Sequence, residues 1–250
     1  MDSTTRFSGK AEGYARFRPS YPEAAVEYIR SLGIGPGSTA ADIGAGTGLF
    51  THVLAQCGCR VLAVEPNGDM LNACRAYCAG DNNVEYVQAR AEETGLDAGS
   101  VDAITAAQAF HWFDKPKCRA EFKRILKPGG PVIILWNILR DDGEFASEYK
   151  KRNGKYRDEA MIRNDAEDFD AQRREFFGGN FEKTRFDNTQ WLTRAEFIGQ
   201  CLSISYVPKE GESLFETYVA EMGELFDRFQ KDGRIELRYM TLVTTGRFPD

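Results

Sequence analysis

Over the first 136 positions, short apolar runs alternate with longer amphipathic stretches. The runs lie at 39–43, 60–65, 84–89, 102–107 and 132–136. The last, Val132 to Trp136, is apolar throughout, as a strand covered on both faces must be. The stretches between them have helical spacing. The first opens at Tyr21-Pro22, places Ala25, Ile29 and Leu32 on one stripe and stops at Gly33, with proline in the first turn and glycine past the end. The next carries Leu49, Phe50, Val53 and Leu54. A third carries Met70, Leu71, Cys74, Tyr77 and Cys78, and a fourth, around 117–126, ends at Pro128-Gly129-Gly130. This alternation predicts an α/β fold with a doubly wound, mostly parallel sheet and helices on both faces. Right-handed crossovers then bring every strand-to-helix loop to one edge of the sheet, where ligands bind in such folds.

Past Asn137 the pattern changes. Positions 138–180 are dense in both charge signs, with scattered apolar residues. They read either as a partly helical insertion that caps the substrate pocket or as a solvated excursion. Phe181–Asn188 has strand-like composition, and Thr193 with Glu196 matches a capping box ahead of a short helix. Positions 213–230 carry Leu214, Phe215, Tyr218, Val219, Met222, Leu225, Phe226 and Phe229 on one face, which predicts a helix packed on a core. A final strand is expected at Ile235–Thr245.

The loop between the first strand and its helix carries the chemistry. Asp42-Ile43-Gly44-Ala45-Gly46-Thr47-Gly48-Leu49 has glycine at three alternate positions, so backbone can approach a ligand closely. Leu49 stands where the dinucleotide fingerprint has its last glycine. An acid, Asp42, precedes the loop; it disfavours a pyrophosphate and suits a ligand with positive charge. Glu65 ends the second strand, 23 positions after Asp42. An acid at about that separation accepts hydrogen bonds from ribose hydroxyls in nucleotide-binding α/β folds. Asp42, Glu65, 89–92 and 107–111 all fall on the ligand-binding edge.

Composition narrows the class. A chain of 250 residues with 42% hydrophobic and 28% charged residues fits one soluble domain, 1–250. A net charge of −6 disfavours a nucleic-acid partner. No apolar run reaches the ~18 residues of a membrane span, and the opening residues form no secretory signal, so no membrane partner and a cytoplasmic location are expected. The six cysteines form no C-x-x-C pair, and the two histidines, His52 and His111, lie apart from them, so no metal is expected. The thiols read as small buried apolar groups.

Together these residues resemble the class I S-adenosylmethionine-dependent methyltransferases, in the small-molecule branch called methyltransferase type 11. The resemblance rests on ADIGAGTGLFT (41–51), VLAVEPNGDML (61–71), VEYVQARAEET (84–94), VDAITAAQAFHWFD (101–114) and RILKPGG (124–130) in that order, with FSGKAEGYARFRPSYP (7–22) before them. It implies a Rossmann-like sheet of seven strands with the last antiparallel, and a lid formed by residues 1–22. The implied cofactor is S-adenosyl-L-methionine. Gly44, Ala45, Gly46 and Thr47 would pass beneath its methionine and ribose, Asp42 would orient the loop, and Glu65 would hold the ribose diol. Pro66 and Met70 would pack on the adenine, with Ala91 and Glu92 at its edge. Arg90 stands where the family commonly has an acid, which shifts the adenine contact to the backbone at Ala91. Ala107 and Gln108 would lie near the methionine portion, and Tyr14, Arg18 and Tyr21 would close from the lid. His111, Trp112 and Trp136 are the candidate substrate-binding residues. His111 is also the candidate base, though a role in shaping the pocket is favoured for it. The implied reaction is in-line methyl transfer to a small molecule. Two alternatives stand beside it: an NAD(P)-dependent oxidoreductase, against which Asp42, Leu49 and the missing Y-x-x-x-K pair argue, and a catalytically inactive cofactor-binding scaffold. The sequence leaves the acceptor and the oligomeric state open.

Overall fold

A computed structural model describes residues 17–157 and 169–249. Seven strands form one sheet: β1 (Thr39–Ile43), β2 (Arg60–Val64), β3 (Val84–Val87), β4 (Ala103–Ala107), β5 (Val132–Leu139), β6 (Phe181–Thr193) and β7 (Arg234–Gly246). Their spatial order is β3-β2-β1-β4-β5-β7-β6. The first five strands are mutually parallel, and the last in sequence, β7, runs antiparallel between β5 and β6. Every parallel step crosses over through a helix or long loop, which leaves the carboxyl ends of β1, β2, β3 and β4 along one rim. The order reverses beside β1, between β2 and β4, and that reversal opens the crevice in such sheets.

Helices cover the sheet: α1 (Glu23–Ser31), α2 (Leu49–Gln56), α3 (Gly68–Tyr77), α4 (Lys115–Ile125), α5 (Glu144–Gly154), α6 (Phe169–Phe177), α7 (Arg194–Leu202) and α8 (Phe215–Phe229), with a 3-10 turn at Phe110–Trp112. One apolar layer packs Ile43, Val64, Ile104 and Ile134 against Phe110, Phe122, Phe176 and Phe177. The layer on the opposite face packs Ala40, Val61, Ile133 and Leu135 against Ile29, Phe50 and Leu54. Adjacent residues of β5 therefore point into different layers, which is why Val132 to Trp136 is apolar at every position. A third cluster, with Phe197, Tyr218, Met222 and Phe226, lies under the far halves of β6 and β7.

The capping box is present: Thr193 Oγ1 accepts from the Glu196 amide, and the Glu196 carboxylate accepts from the Thr193 amide. In α8 the apolar stripe turns inward at Tyr218, Met222, Leu225 and Phe226, while Leu214, just ahead of the helix, stays exposed. All six cysteines are buried free thiols. Among the described residues no helix is long and apolar enough to cross a membrane.

The charged segment 138–180 is anchored where it is described. Phe145 and Tyr149 of α5 join the third cluster. Phe176 and Phe177 of α6 are buried in the first, where Arg119 Nε holds the Phe176 carbonyl at 2.8 Å. The charge density arises because each helix buries one narrow stripe and exposes the rest. Phe169, at the start of α6, reaches the Trp136 ring with centroids 5.7 Å apart.

Candidate active site

The glycine loop folds as it does because its three glycines do different things. All have positive φ: 74° at Gly44, 57° at Gly46 and 88° at Gly48. A Cβ on Gly44 would sit 2.6 Å from Ala109 Cβ, and one on Gly48 would sit 2.8 Å from Cys74 Sγ. Those two positions let the loop close on its neighbours. Gly46 is different: a Cβ there would meet only the Gly44 carbonyl at 4.0 Å, so its bare face borders open space.

Both acids reach this loop. Glu65 is 8% exposed, and its two oxygens accept from different segments: Oε2 from the Gly46 amide at 3.0 Å and Oε1 from the Asn67 amide at 3.0 Å. It thus ties the glycine loop to the loop after β2, and each oxygen keeps a lone pair for a ligand. Burial raises its pKa against the opposing pull of those two amides. Asp42 is buried at the end of β1 and registered opposite Thr105. Its carboxylate accepts from Thr51 Oγ1 at 2.7 Å and Thr105 Oγ1 at 2.9 Å. Burial pushes its pKa up to about 6, because two neutral hydroxyls offset only part of the lost hydration. Thr47 Oγ1 is buried as well and has no hydrogen-bond partner among the described residues.

These groups border one cavity of about 330 Å3. From the glycine loop its wall takes Asp42, Gly44, Ala45, Gly46 and Thr47, with Leu49 and Phe50 from α2. Glu65, Pro66 and Met70 follow β2; Arg90, Ala91 and Glu92 follow β3; Ala107, Gln108 and Ala109 end β4. The far side holds Trp112, Phe113, Trp136, Asn137 and Tyr239, and residues Arg18, Pro19 and Tyr21 close the rim. Of the residues expected from the sequence, Tyr14 lies outside the described residues.

Two expected residues reach the site differently from the expectation. The Arg18 guanidinium donates to the Ser203 carbonyl at 3.1 Å, which draws it toward the carboxyl-terminal layer. His111 is not on the cavity wall. Its ring is wedged beside Trp112 and Trp136, with centroids 4.5 Å and 4.9 Å away. Glu92 lines the cavity while its Oε1 accepts from the Asp114 amide at 2.9 Å, so it also joins the loops after β3 and β4.

Sequence reasoning missed Phe113, Asn137 and Tyr239. Asn137 Nδ2 donates to the Pro19 and Ser20 carbonyls, both at 3.2 Å, and its Oδ1 accepts from Thr241 Oγ1 at 2.5 Å. Asn188 Nδ2 reaches the Ser20 carbonyl at 2.8 Å, and Gln190 Nε2 reaches the Phe17 carbonyl at 3.1 Å. Three amide side chains on β5 and β6 thereby clasp the backbone of the segment that closes the cavity. An amide on a strand of alternating exposure was the one available signal, and it does not specify a partner more than 100 positions away.

Comparison with known proteins bears on what this cavity holds. Residues 41–134 match the family model described as a methyltransferase domain. Uncharacterized methyltransferases of Mycobacterium bovis and Mycobacterium tuberculosis are 38% identical over 141 residues, 56% of this chain, and the chain spans about half of their length, 55%. An uncharacterized methyltransferase-like protein of Schizosaccharomyces pombe is 30% identical over 247 residues, covering 95% of this chain and 93% of that one. The chain belongs to the class I S-adenosylmethionine-dependent methyltransferases. A solved structure described as a type II methyltransferase, from Anaeromyxobacter dehalogenans, shares the fold with a TM-score of 0.65 at 23% identity, over 94% of this chain and all of that one. The cofactor of this methyltransferase family is S-adenosylmethionine. The site's donor set suits it: Asp42 and Glu65, which among the described residues have no cationic partner, for a ligand that is itself cationic, a buried Thr47 hydroxyl without a partner among those residues, and a loop left open at Gly46.

Proposed function

We propose that the protein transfers a methyl group from S-adenosylmethionine to a small molecule held at the aromatic end of the same cavity. One observation carries this reading: a single cavity runs from Glu65, through the glycine loop, to Trp112 and Trp136. A nucleoside cofactor and a second reactant therefore fit side by side with no wall between them. The bound cofactor supplies an electrophilic methyl on a sulfonium. What remains for the chain is alignment and the exclusion of water.

In this reading Glu65 accepts from the ribose hydroxyls with the lone pairs its two backbone amides leave free. Gly46 admits the ligand against bare peptide, and the Thr47 hydroxyl gains its missing partner. Pro66 and Met70 flank the base, with the backbone at Ala91 at its edge. Asp42 holds the loop through Thr51 and Thr105 and places negative charge beneath a cationic ligand. His111 acts as a spacer between the tryptophans rather than as a base, since its ring lies off the wall. The six buried thiols suit a reducing compartment, and the cytoplasm is the location we assign.

Calorimetry with S-adenosylhomocysteine and with NADH tests the reading. Binding of the demethylated cofactor, weakened by Glu65→Ala, is the expected result. Binding of NADH alone would overturn it.

A further inference from the structure

Gln108 has a backbone that side chains rarely adopt. Its φ is 57°, and among the described residues only Asp232 shares that departure without being glycine. Such strain persists where the surroundings hold it. Here the Gln108 amide nitrogen donates to the Leu135 carbonyl at 2.9 Å, and its side-chain Nε2 donates to the Asn137 carbonyl at 3.3 Å. Both bonds go to β5, away from β1 and the glycine loop. Because a carbonyl can only accept, the amide cannot be turned round: its NH2 is committed to Asn137, and Oε1 of this cavity-lining side chain is left as an acceptor with no partner among the described residues.

The surroundings of that oxygen define what it can meet. Trp112, Trp136 and Tyr239 supply ring surface, and Asn137 is committed to the clasp. Among the described residues the wall carries no lysine. Of the two arginines among the described lining residues, Arg90 follows β3, on the far side of β1 from Gln108, and Arg18 sits at the rim with its guanidinium donating to the Ser203 carbonyl. The two acids beneath the cofactor add negative charge to the same cavity. An anionic group would meet the lone pairs of Oε1, whereas a flat ring bearing a hydrogen-bond donor finds both apolar area and one fixed acceptor.

We infer that the acceptor is an uncharged aromatic molecule bearing an O–H or N–H, and that Gln108 Oε1 determines this specificity by accepting a hydrogen bond from that group. The inference rests on the methyl-transfer reading of this cavity and adds the substrate class to it.

The test is the affinity of the full chain, saturated with S-adenosylhomocysteine, for 2-naphthol, for its methyl ether and for phthalate. In the wild type 2-naphthol should bind roughly five- to tenfold more tightly than the ether, the worth of one hydrogen bond, and more tightly than phthalate. In Gln108→Leu the naphthol-to-ether ratio should fall to near one. Gln108→Gly, which suits the positive φ and so guards against misfolding, should do the same. A general loosening of the pocket would weaken both ligands and leave the ratio intact. Tighter binding of phthalate, a ratio that survives both substitutions, or failure of both naphthyl ligands to bind would overturn the inference alone. Failure of S-adenosylhomocysteine to bind at all would remove the methyl-transfer reading beneath it.

Discussion

Asp42 and Glu121 are both largely buried carboxylates, one at the end of β1 and one on α4, and their surroundings push them in opposite directions. Glu121 faces a cation: Arg124 donates through Nε at 2.7 Å and through a terminal nitrogen at 2.8 Å, and the Thr94 amide and hydroxyl complete the shell. The Arg124 hydrogen bonds above all draw its pKa down to about 2. Asp42 faces only two hydroxyls, and burial lifts its pKa to about 6. Glu65, next along the rim, is likewise raised by burial and met only by neutral amides. A charge paired within the chain holds two segments together, here the loop after β3 and α4. A buried charge without a cation is a standing cost, and a cationic ligand is what offsets it. The contrast separates a part of the molecule built for folding from a part built for binding.

Glu65→Ala should have the largest effect on binding. It removes a carboxylate that cross-links two loops and would accept from the ribose, so affinity for S-adenosylhomocysteine should fall by about 1.5–3 kcal/mol, roughly ten- to 150-fold. Titration calorimetry reads this directly. Unchanged affinity would mean that the ribose sits elsewhere.

Asp42→Asn sharpens the contrast through pH. Raised from 3.8 to about 6, the folded carboxyl keeps its proton where the unfolded one has lost it. Its contribution to stability is therefore fully present below pH 3.8 and is lost as pH rises through 6. A shift of about 2 units corresponds to about 3 kcal/mol, and exchanging charged for neutral hydrogen bonds reduces the gain on removing it. Without ligand, Asp42→Asn should be more stable than the wild type by about 1–2 kcal/mol above pH 6.5, with the gap closing near pH 4. Denaturant melts across that range decide it; a gap that widens in acid would refute the assignment. The same variant should bind the cofactor more weakly.

Glu121→Ala should do the reverse. It should lower stability at neutral pH by about 1–2 kcal/mol, because Thr94 and Arg124 lose their acceptor, and it should change cofactor affinity less than Glu65→Ala does. The wild-type contribution is present above the ordinary pKa of 4.5 and fades as pH falls toward about 2. Thermal melts paired with calorimetry separate the two outcomes.

How far the sequence speaks follows the same division. The glycine loop, Asp42 and Glu65 are legible because they are local: each lies within a few residues of a strand end whose period can be read. Six of the seven strands lie within about three residues of their expected bounds for the same reason, while β6 runs past the expected Asn188 to Thr193. The loop after β3 is half legible, since Arg90 is visibly out of pattern while the Glu121 staple beneath it comes from a helix 27 positions on. The carboxyl-terminal layer is the hardest. Its helices α5 and α6 look solvated because charges outnumber the few aromatic anchors, and the clasp at Asn137, Asn188 and Gln190 joins residues up to 173 positions apart. Polar side chains that satisfy a distant backbone leave no periodicity behind.

That clasp yields the smallest of the expected effects, and it tests whether the carboxyl-terminal layer matters to binding at all. Asn188 Nδ2 donates to the Ser20 carbonyl, which it shares with Asn137, so one of the two donors can be lost without orphaning the acceptor. Asn188→Leu keeps the volume and removes the donor. The segment carrying Arg18, Pro19 and Tyr21 should then close less firmly, and cofactor affinity should fall by about 0.5–1 kcal/mol, a few-fold. Because Asn188 lines no part of the cavity, the loss should appear as faster dissociation of S-adenosylhomocysteine with little change in its association rate. Stopped-flow displacement measures both rates. A dissociation rate equal to wild type would confine binding to the parallel half of the sheet and leave the clasp as architecture alone.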